Sequence, residues 1–115
     1  MYDAQVSIPK GEKRPVYAAL DAGVGNTLTI ASGGTAQLLN ADETAITGWT
    51  AASVTGYDSS AKQTPQIWFD LDTTSPVALV ARSYYLLKFA FNATGSDGIA
   101  RTFDRTVQVY IDGPV

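Results

Sequence analysis

From Tyr84 to Ile111 apolar and polar residues alternate with a period of two. Tyr85, Leu87, Phe89 and Phe91 share one parity, and Tyr84, Leu86, Lys88 and Ala90 share the other. Downstream, Phe103, Val107, Val109 and Ile111 alternate with Thr102, Asp104, Thr106 and Gln108. Such alternation in aromatic and β-branched residues predicts two strands, each with one buried face. Gly95-Ser96-Asp97-Gly98 lies between them and predicts a hairpin turn. Parity selects its length. A two-residue Asp97-Gly98 loop would set Phe91 opposite Asp104 and Leu87 opposite Gln108. A three-residue loop, Ser96 to Gly98 with Gly98 left-handed, sets Phe91 opposite Phe103, Leu87 opposite Val107 and Tyr85 opposite Val109. Register follows the buried face, so the three-residue loop is expected.

Shorter strands precede this hairpin. Val16 to Leu20 places Val16, Ala18 and Leu20 on one face, and Gly23-Val24-Gly25-Asn26 turns the chain. Thr27 to Ala31 points Leu28 and Ile30 inward and is closed by Ser32-Gly33-Gly34. Leu38 and Leu39 lie in a segment without a clear period, and Asp42-Glu43-Thr44 reads as a turn or one turn of helix. Trp49 to Val54 is expected as a strand of small and β-branched residues. A polar loop, Ser59 to Pro65, leads to a strand from Gln66 to Asp72 with Ile67, Phe69 and Leu71 on its inner face. Val77 to Arg82 is short enough for a crossover or a single helical turn, and Asp112-Gly113-Pro114 stops the chain. Short strands between Gly, Pro, Ser and Asn turns, with no amphipathic helix, predict an all-β fold: an immunoglobulin-like antiparallel β-sandwich of six to eight strands. The expected core is Leu28, Ile30, Trp49, Ile67, Phe69, Leu71, Tyr85, Leu87, Phe91, Phe103, Val107 and Val109.

Residues 1–15 break the pattern. Pro9, the run Lys10-Gly11-Glu12-Lys13-Arg14 and Pro15 argue against a helix or an interior strand. They are expected as an extended N-terminal arm, either a frayed terminus or a segment held by a partner, on a sandwich spanning residues 16–115. Val6 and Ile8 alternate around Ser7 and offer a strand-like edge to a neighbouring sheet. Lys10, Lys13 and Arg14 give the arm a local positive charge for an acidic partner surface.

Composition narrows the chemistry. A chain of 115 residues supports one domain with one core, and its formal charge of −3 disfavours broad contact with nucleic acid. With no cysteine and no histidine, there is no thiolate, no disulfide and neither of the commonest transition-metal ligands. The serines and threonines near loops therefore lack a base. Asp70 and Asp72 share one strand face, but a glycosidase needs carboxylates on opposite sides of a bond, and calcium needs more oxygens than two neighbours supply. Ser96-Asp97-Gly98 is turn chemistry. No catalytic, cofactor or metal site is expected, and the chain reads as a non-enzyme. No run is apolar enough to span a membrane, and Met1-Tyr2-Asp3 has neither the basic nor the apolar region of an export signal.

Trp68 is the outward candidate. If Phe69 faces in, Trp68 faces out with Asp70 and Asp72. An exposed indole beside carboxylates suits a sugar-stacking platform, an anchor in a protein interface, or a ring covered by a loop or by the N-terminal arm. The candidate partner-binding residues are thus Val6, Ile8, Lys10, Lys13, Arg14 and Trp68.

The stretch from Leu79 through Tyr84-Tyr85-Leu86-Leu87-Lys88-Phe89 and Ser96-Asp97-Gly98 to Thr106-Val107-Gln108-Val109-Tyr110-Ile111 resembles small immunoglobulin-like virion proteins of tailed phages. It is most similar to the amino-terminal domains of phage baseplate upper proteins, where a Tyr-x-Leu-x-Phe strand, an Asp-Gly hairpin and a Val-x-Val-x-Ile strand close the sandwich. The likeness covers about the last third of the chain, with a looser match at Gly48-Trp49. It implies a decoration, cement or tail component, multicopy or self-associating, whose partners are capsid or tail subunits. It carries over no catalytic residue. No coiled coil or receptor-binding sequence follows as in the longer baseplate proteins, which sets capsid decoration beside a tail position. The implied location is the virion, and the runner-up function is a carbohydrate-binding module using Trp68.

Overall fold

The computed structural model describes residues 4–30 and 34–113. Within them lie nine strands: β1 (Ala4–Pro9), β2 (Lys13–Ala19), β3 (Leu28–Ile30), β4 (Thr35–Asn40), β5 (Ala52–Ser53), β6 (Gly56–Tyr57), β7 (Gln66–Asp72), β8 (Ser83–Gly95) and β9 (Ala100–Asp112). The described residues contain no helix. The expected turn at Ser32-Gly33, the arm's first three residues and the stop at Pro114 lie outside the described residues.

The hairpin takes the register that parity requires. Phe91 pairs with Phe103, Leu87 with Val107 and Tyr85 with Val109. The Gly95 N–H donates to the Ile99 carbonyl at 3.1 Å, and the Gly98 N–H donates to the Gly95 carbonyl at 2.9 Å. Ser96 to Gly98 is therefore the loop, and Gly98 sits at φ +79°. At that φ a β-carbon crowds its own backbone, so glycine is the residue that fits.

Two sheets pack face to face. The larger has the order β1-β9-β8-β4-β5, with β3 also on β8, and the smaller has the order β2-β7-β6. With β2 as strand B and β9 as strand G, these are the G-F-C and B-E-D layers of an immunoglobulin-like sandwich. Strand A is the exception. In that plan it lies beside strand B, whereas β1 runs parallel to β9, and the other named strand pairs are antiparallel. A second signature of the fold sits at the start of β8, where the Tyr85 hydroxyl accepts the Val80 N–H at 2.9 Å. This tyrosine corner ties the β7–β8 crossover to the core.

The core lies between the layers and contains most of the expected side chains. Phe69 and Phe103 are only partly buried against it. It also takes in Ile8, Val16, Leu20, Leu38, Leu79, Phe89 and Ile111. The Trp49 indole is buried with no protein partner for its Nε1–H among the described residues.

Several expectations are corrected. Residues 4–9 are not an arm: they form β1, hydrogen-bonded along Val107–Asp112. Pro9 and Pro15 are compatible with strands here because β1 and β2 are both edge strands, where a missing N–H breaks no ladder. The expected strand Trp49–Val54 shrinks to Ala52–Ser53. Gly48, at φ +89°, turns Trp49 into the core, and Ala51 and Ala52 have little apolar surface to bury. Of the two alternatives for Val77–Arg82, the crossover holds and the helical turn does not: the Leu79 N–H goes to the Thr73 carbonyl at 2.8 Å.

Candidate interaction surface

The structure disperses the six candidate partner-binding residues. Ile8 is 2% exposed and belongs to the core. Val6 is partly buried against that core. Their side chains serve this sandwich and are not offered to a neighbour, because parallel pairing with Val109 and Ile111 turns them inward. Lys10 is exposed in the β1–β2 turn, with its N–H on the Asp112 carbonyl at 2.8 Å. Arg14 is held by Glu12, its Nε donating to Oε1 at 2.9 Å. Lys13 lies across the ladder from Asp72. The Asp72 carboxyl is held below its ordinary range, first by the Thr74 hydroxyl, then by the Thr74 N–H, with a smaller pull from the Lys13 charge.

Trp68 is half-buried on the outer face of the three-stranded sheet. Its cross-strand neighbours are Tyr17 on β2 and Gly56 on β6. The Tyr17 ring lies 5.6 Å from the indole, centroid to centroid, inclined by 40°. On the other side the indole fills the space above Gly56, where a β-carbon would stand 2.4 Å from Trp68 Cζ2. Tyr17 remains 47% exposed. The pair is thus an aromatic ridge across the sheet, its cover supplied by its own strand neighbours and not by the arm. Asp70 shares this face, and its N–H is taken by the Thr55 hydroxyl at 2.8 Å. Among the described residues no group of three or more His, Cys, Asp or Glu side chains is placed to hold a metal ion.

Beside this ridge the sandwich is open. Because β1 sits next to β9, the outer edge of β2 has no strand neighbour in its sheet among the described residues. The hydrogen bonds that continue the β2–β7 ladder at its two ends fix which residues face that edge. The Thr73 N–H donates to the Glu12 carbonyl and the Leu20 N–H to the Pro65 carbonyl, so even-numbered residues of β2 bond to β7. In an antiparallel pair the alternate residues point away from the partner, and here these are Lys13, Pro15, Tyr17 and Ala19. Pro15 has no N–H to offer, so the donors directed outward in the second half of the strand are those of Tyr17 and Ala19.

A cleft of about 230 Å³ lies between this edge and the larger sheet, with Tyr17, Ala18 and Ala19 on one side and Arg105 and Val107 on the other. Ala18 is small and inward-facing, which leaves the seam unfilled. Arg105 is the residue that sequence reasoning passed over. It pairs with Phe89, whose side chain is fully buried, so Arg105 stands on the core face of β9. The signal was available: in the series 103, 105, 107, 109, 111 it alone is polar. Its Nη1 donates to the Asp104 carbonyl at 2.8 Å. The ion pairs among the described residues are Arg14–Glu12, Lys62–Asp58 and Arg101–Asp97, and none engages Arg105.

No family model matches the chain, and no curated protein does. Among solved structures it is similar to the periplasmic chaperone SfaE, at 16% identity and a TM-score of 0.40, over 97% of this chain and 56% of that one. It is also similar to the CooA pilin subunit from enterotoxigenic Escherichia coli, at 14% identity and a TM-score of 0.33, over 94% of this chain and 90% of that one. The chain spans a little over half of the chaperone's length. These likenesses concern fold class and assign no role.

Proposed function

We propose that this chain is a non-enzymatic structural protein of a tailed-phage virion, held in the particle by protein–protein contacts. The hairpin resemblance supplies the setting. The observation that carries the mode of action is the open edge of β2, flanked by the Tyr17–Trp68 ridge on one side and the Arg105 cleft on the other. A strand edge open among the described residues offers backbone hydrogen bonds, an aromatic pair offers buried area, and a cation without an ion pair among those residues offers selectivity. On a symmetric particle the chain is present in many copies, as decoration or as a tail component.

The test is composition. Tailed particles banded from a culture that expresses the chain are digested and quantified by mass spectrometry. Multicopy recovery with the capsid or tail subunits is expected. Recovery in the soluble fraction alone, from a lysate rich in particles, overturns the reading. A carbohydrate-binding module is the second reading, favoured by the Tyr17–Trp68 pair, and the 40° inclination of its rings weighs against a flat stacking platform. Glycan-array binding lost in Trp68→Ala would move the conclusion to that reading.

A further inference from the structure

We infer that the seam between β2 and β9 is a strand-addition site for an extended, acidic segment of another polypeptide, which pairs with Tyr17 and Ala19 and places a carboxylate on Arg105. This rests on the protein-contact reading and names its partner by chemistry. A strand laid beside β2 continues the three-stranded sheet where strand A is missing. One face of that strand turns outward beside Tyr17. The other turns across the gap between the layers, about 10 Å in packed sheets, which is spanned when two long side chains meet. Arg105 stands on the far wall of that gap.

Three features fit this occupant. The Tyr17 and Ala19 backbone groups point out of the sheet at the two-residue spacing an added strand requires. Pro15, two residues before Tyr17, ends the row of donors and fixes how far pairing runs. Arg105 sets the side-chain preference. Arg105 does not belong to the edge strand but faces its seam from β9, and it disfavours indiscriminate pairing, because an apolar strand would bury the guanidinium without a partner. A strand carrying glutamate or aspartate converts that cost into a charge-assisted hydrogen bond, so one residue both rejects and selects. A lone anionic molecule satisfies Arg105 but leaves the Tyr17 and Ala19 edge unpaired, so it accounts for only half of the site.

The experiment uses the full chain and two capped hexapeptides of alternating threonine and valine, one with a central glutamate and one with lysine in its place. Binding is measured by fluorescence anisotropy, and amide exchange is followed by NMR. The glutamate peptide is expected to bind at least tenfold more tightly and to slow exchange at the Tyr17 and Ala19 amides. Arg105→Gln removes the preference and Arg105→Glu reverses it. Ala19→Pro repeats the Pro15 solution at the same parity, so the fold is kept while one outward donor is lost, and both peptides bind at least fivefold more weakly. Equal affinity for the two peptides, or unchanged affinity in Ala19→Pro, overturns the inference. Full competition by free glutamate overturns the strand-addition part. Protection that appears on raising protein concentration alone reassigns the edge to a second copy of this chain and overturns the acidic heterologous partner. None of these failures touches the virion reading, which particle composition decides separately.

Discussion

Replacing Ile8 by alanine distinguishes a strand of the fold from an arm that docks elsewhere. Ile8 is 2% exposed, and its ladder partner Ile111 is fully buried. Truncating a buried isoleucine to alanine costs about 2–5 kcal/mol, the spread depending on how far the site collapses. Among the described residues β1 has one strand neighbour, β9, so its backbone is free to close part of the hole, and about 2–3 kcal/mol is expected. An unfolding entropy of about 2.1 cal/mol/K per residue gives roughly 240 cal/mol/K for 115 residues, so each kcal/mol lowers Tm by about 4 °C. The melt followed by far-ultraviolet circular dichroism should therefore fall by about 8–12 °C. Gln5→Ala, an exposed position on the same strand, serves as the control and should stay within about 2 °C. An Ile8→Ala protein that melts with that control would show that β1 is outside the cooperative unit and would restore the arm.

Four further outcomes follow from the geometry. Thr73, the fully buried polar residue among those described, accepts the Gly11 N–H at 2.8 Å and donates to the Glu12 carbonyl at 2.9 Å. Thr73→Val keeps the shape and loses both bonds, so Tm should drop by about 4–8 °C with faster exchange at the Gly11 amide, and an unchanged melt refutes the latch. Gly56→Ala drives a β-carbon into the Trp68 indole; the near-ultraviolet dichroism should change and stability fall by about 1–3 kcal/mol, whereas superimposable spectra would mean the ring lies elsewhere. A β-carbon at Gly98 would meet nothing within 4 Å, so the loss in Gly98→Val, roughly 1 kcal/mol or more, reports chiefly the left-handed backbone, and a parental Tm would disprove the three-residue loop. Asp97 is held at about 2, first by the Arg101 guanidinium and then by the Ile99 N–H. A carboxyl depressed in the folded state stabilises fully above its unfolded pKa and loses that contribution as pH falls through the folded value. The Tm gap between parent and Asp97→Asn should therefore close between about pH 4 and pH 2, and a constant gap counts against the pair.

What the sequence made legible was whatever one strand carries by itself. The hairpin register followed from parity because both of its strands bury one face and meet across a short loop. The core residues of β7 followed in the same way. β1 was not legible, since its partner β9 lies at the opposite end of the chain and no local pattern encodes a parallel ladder. Its prolines and charges argued correctly against an interior strand, and an edge strand was the alternative they left open. The Trp49 segment failed for a different reason: Gly48 spends the indole on the core before the strand begins. Arg105 was visible as a break in parity, but a break acquires meaning only when the neighbouring strand is known.

The displaced first strand links these misses to the candidate site. Beside β2, strand A would have sealed the smaller sheet; beside β9, it covers Val109 and Ile111 through Val6 and Ile8 and leaves β2 bare. The fold thus exchanges one protected edge for another. The edge left open is not defended along its whole length: Pro15 blocks one part, Arg105 penalises apolar strands, and Tyr17 and Ala19 remain addressable. An edge under selection only for solubility would be expected to carry an outward lysine or proline at Ala19 as well. A small neutral residue there, across the cleft from Arg105, is the arrangement of an edge that discriminates between strands and does not exclude them all.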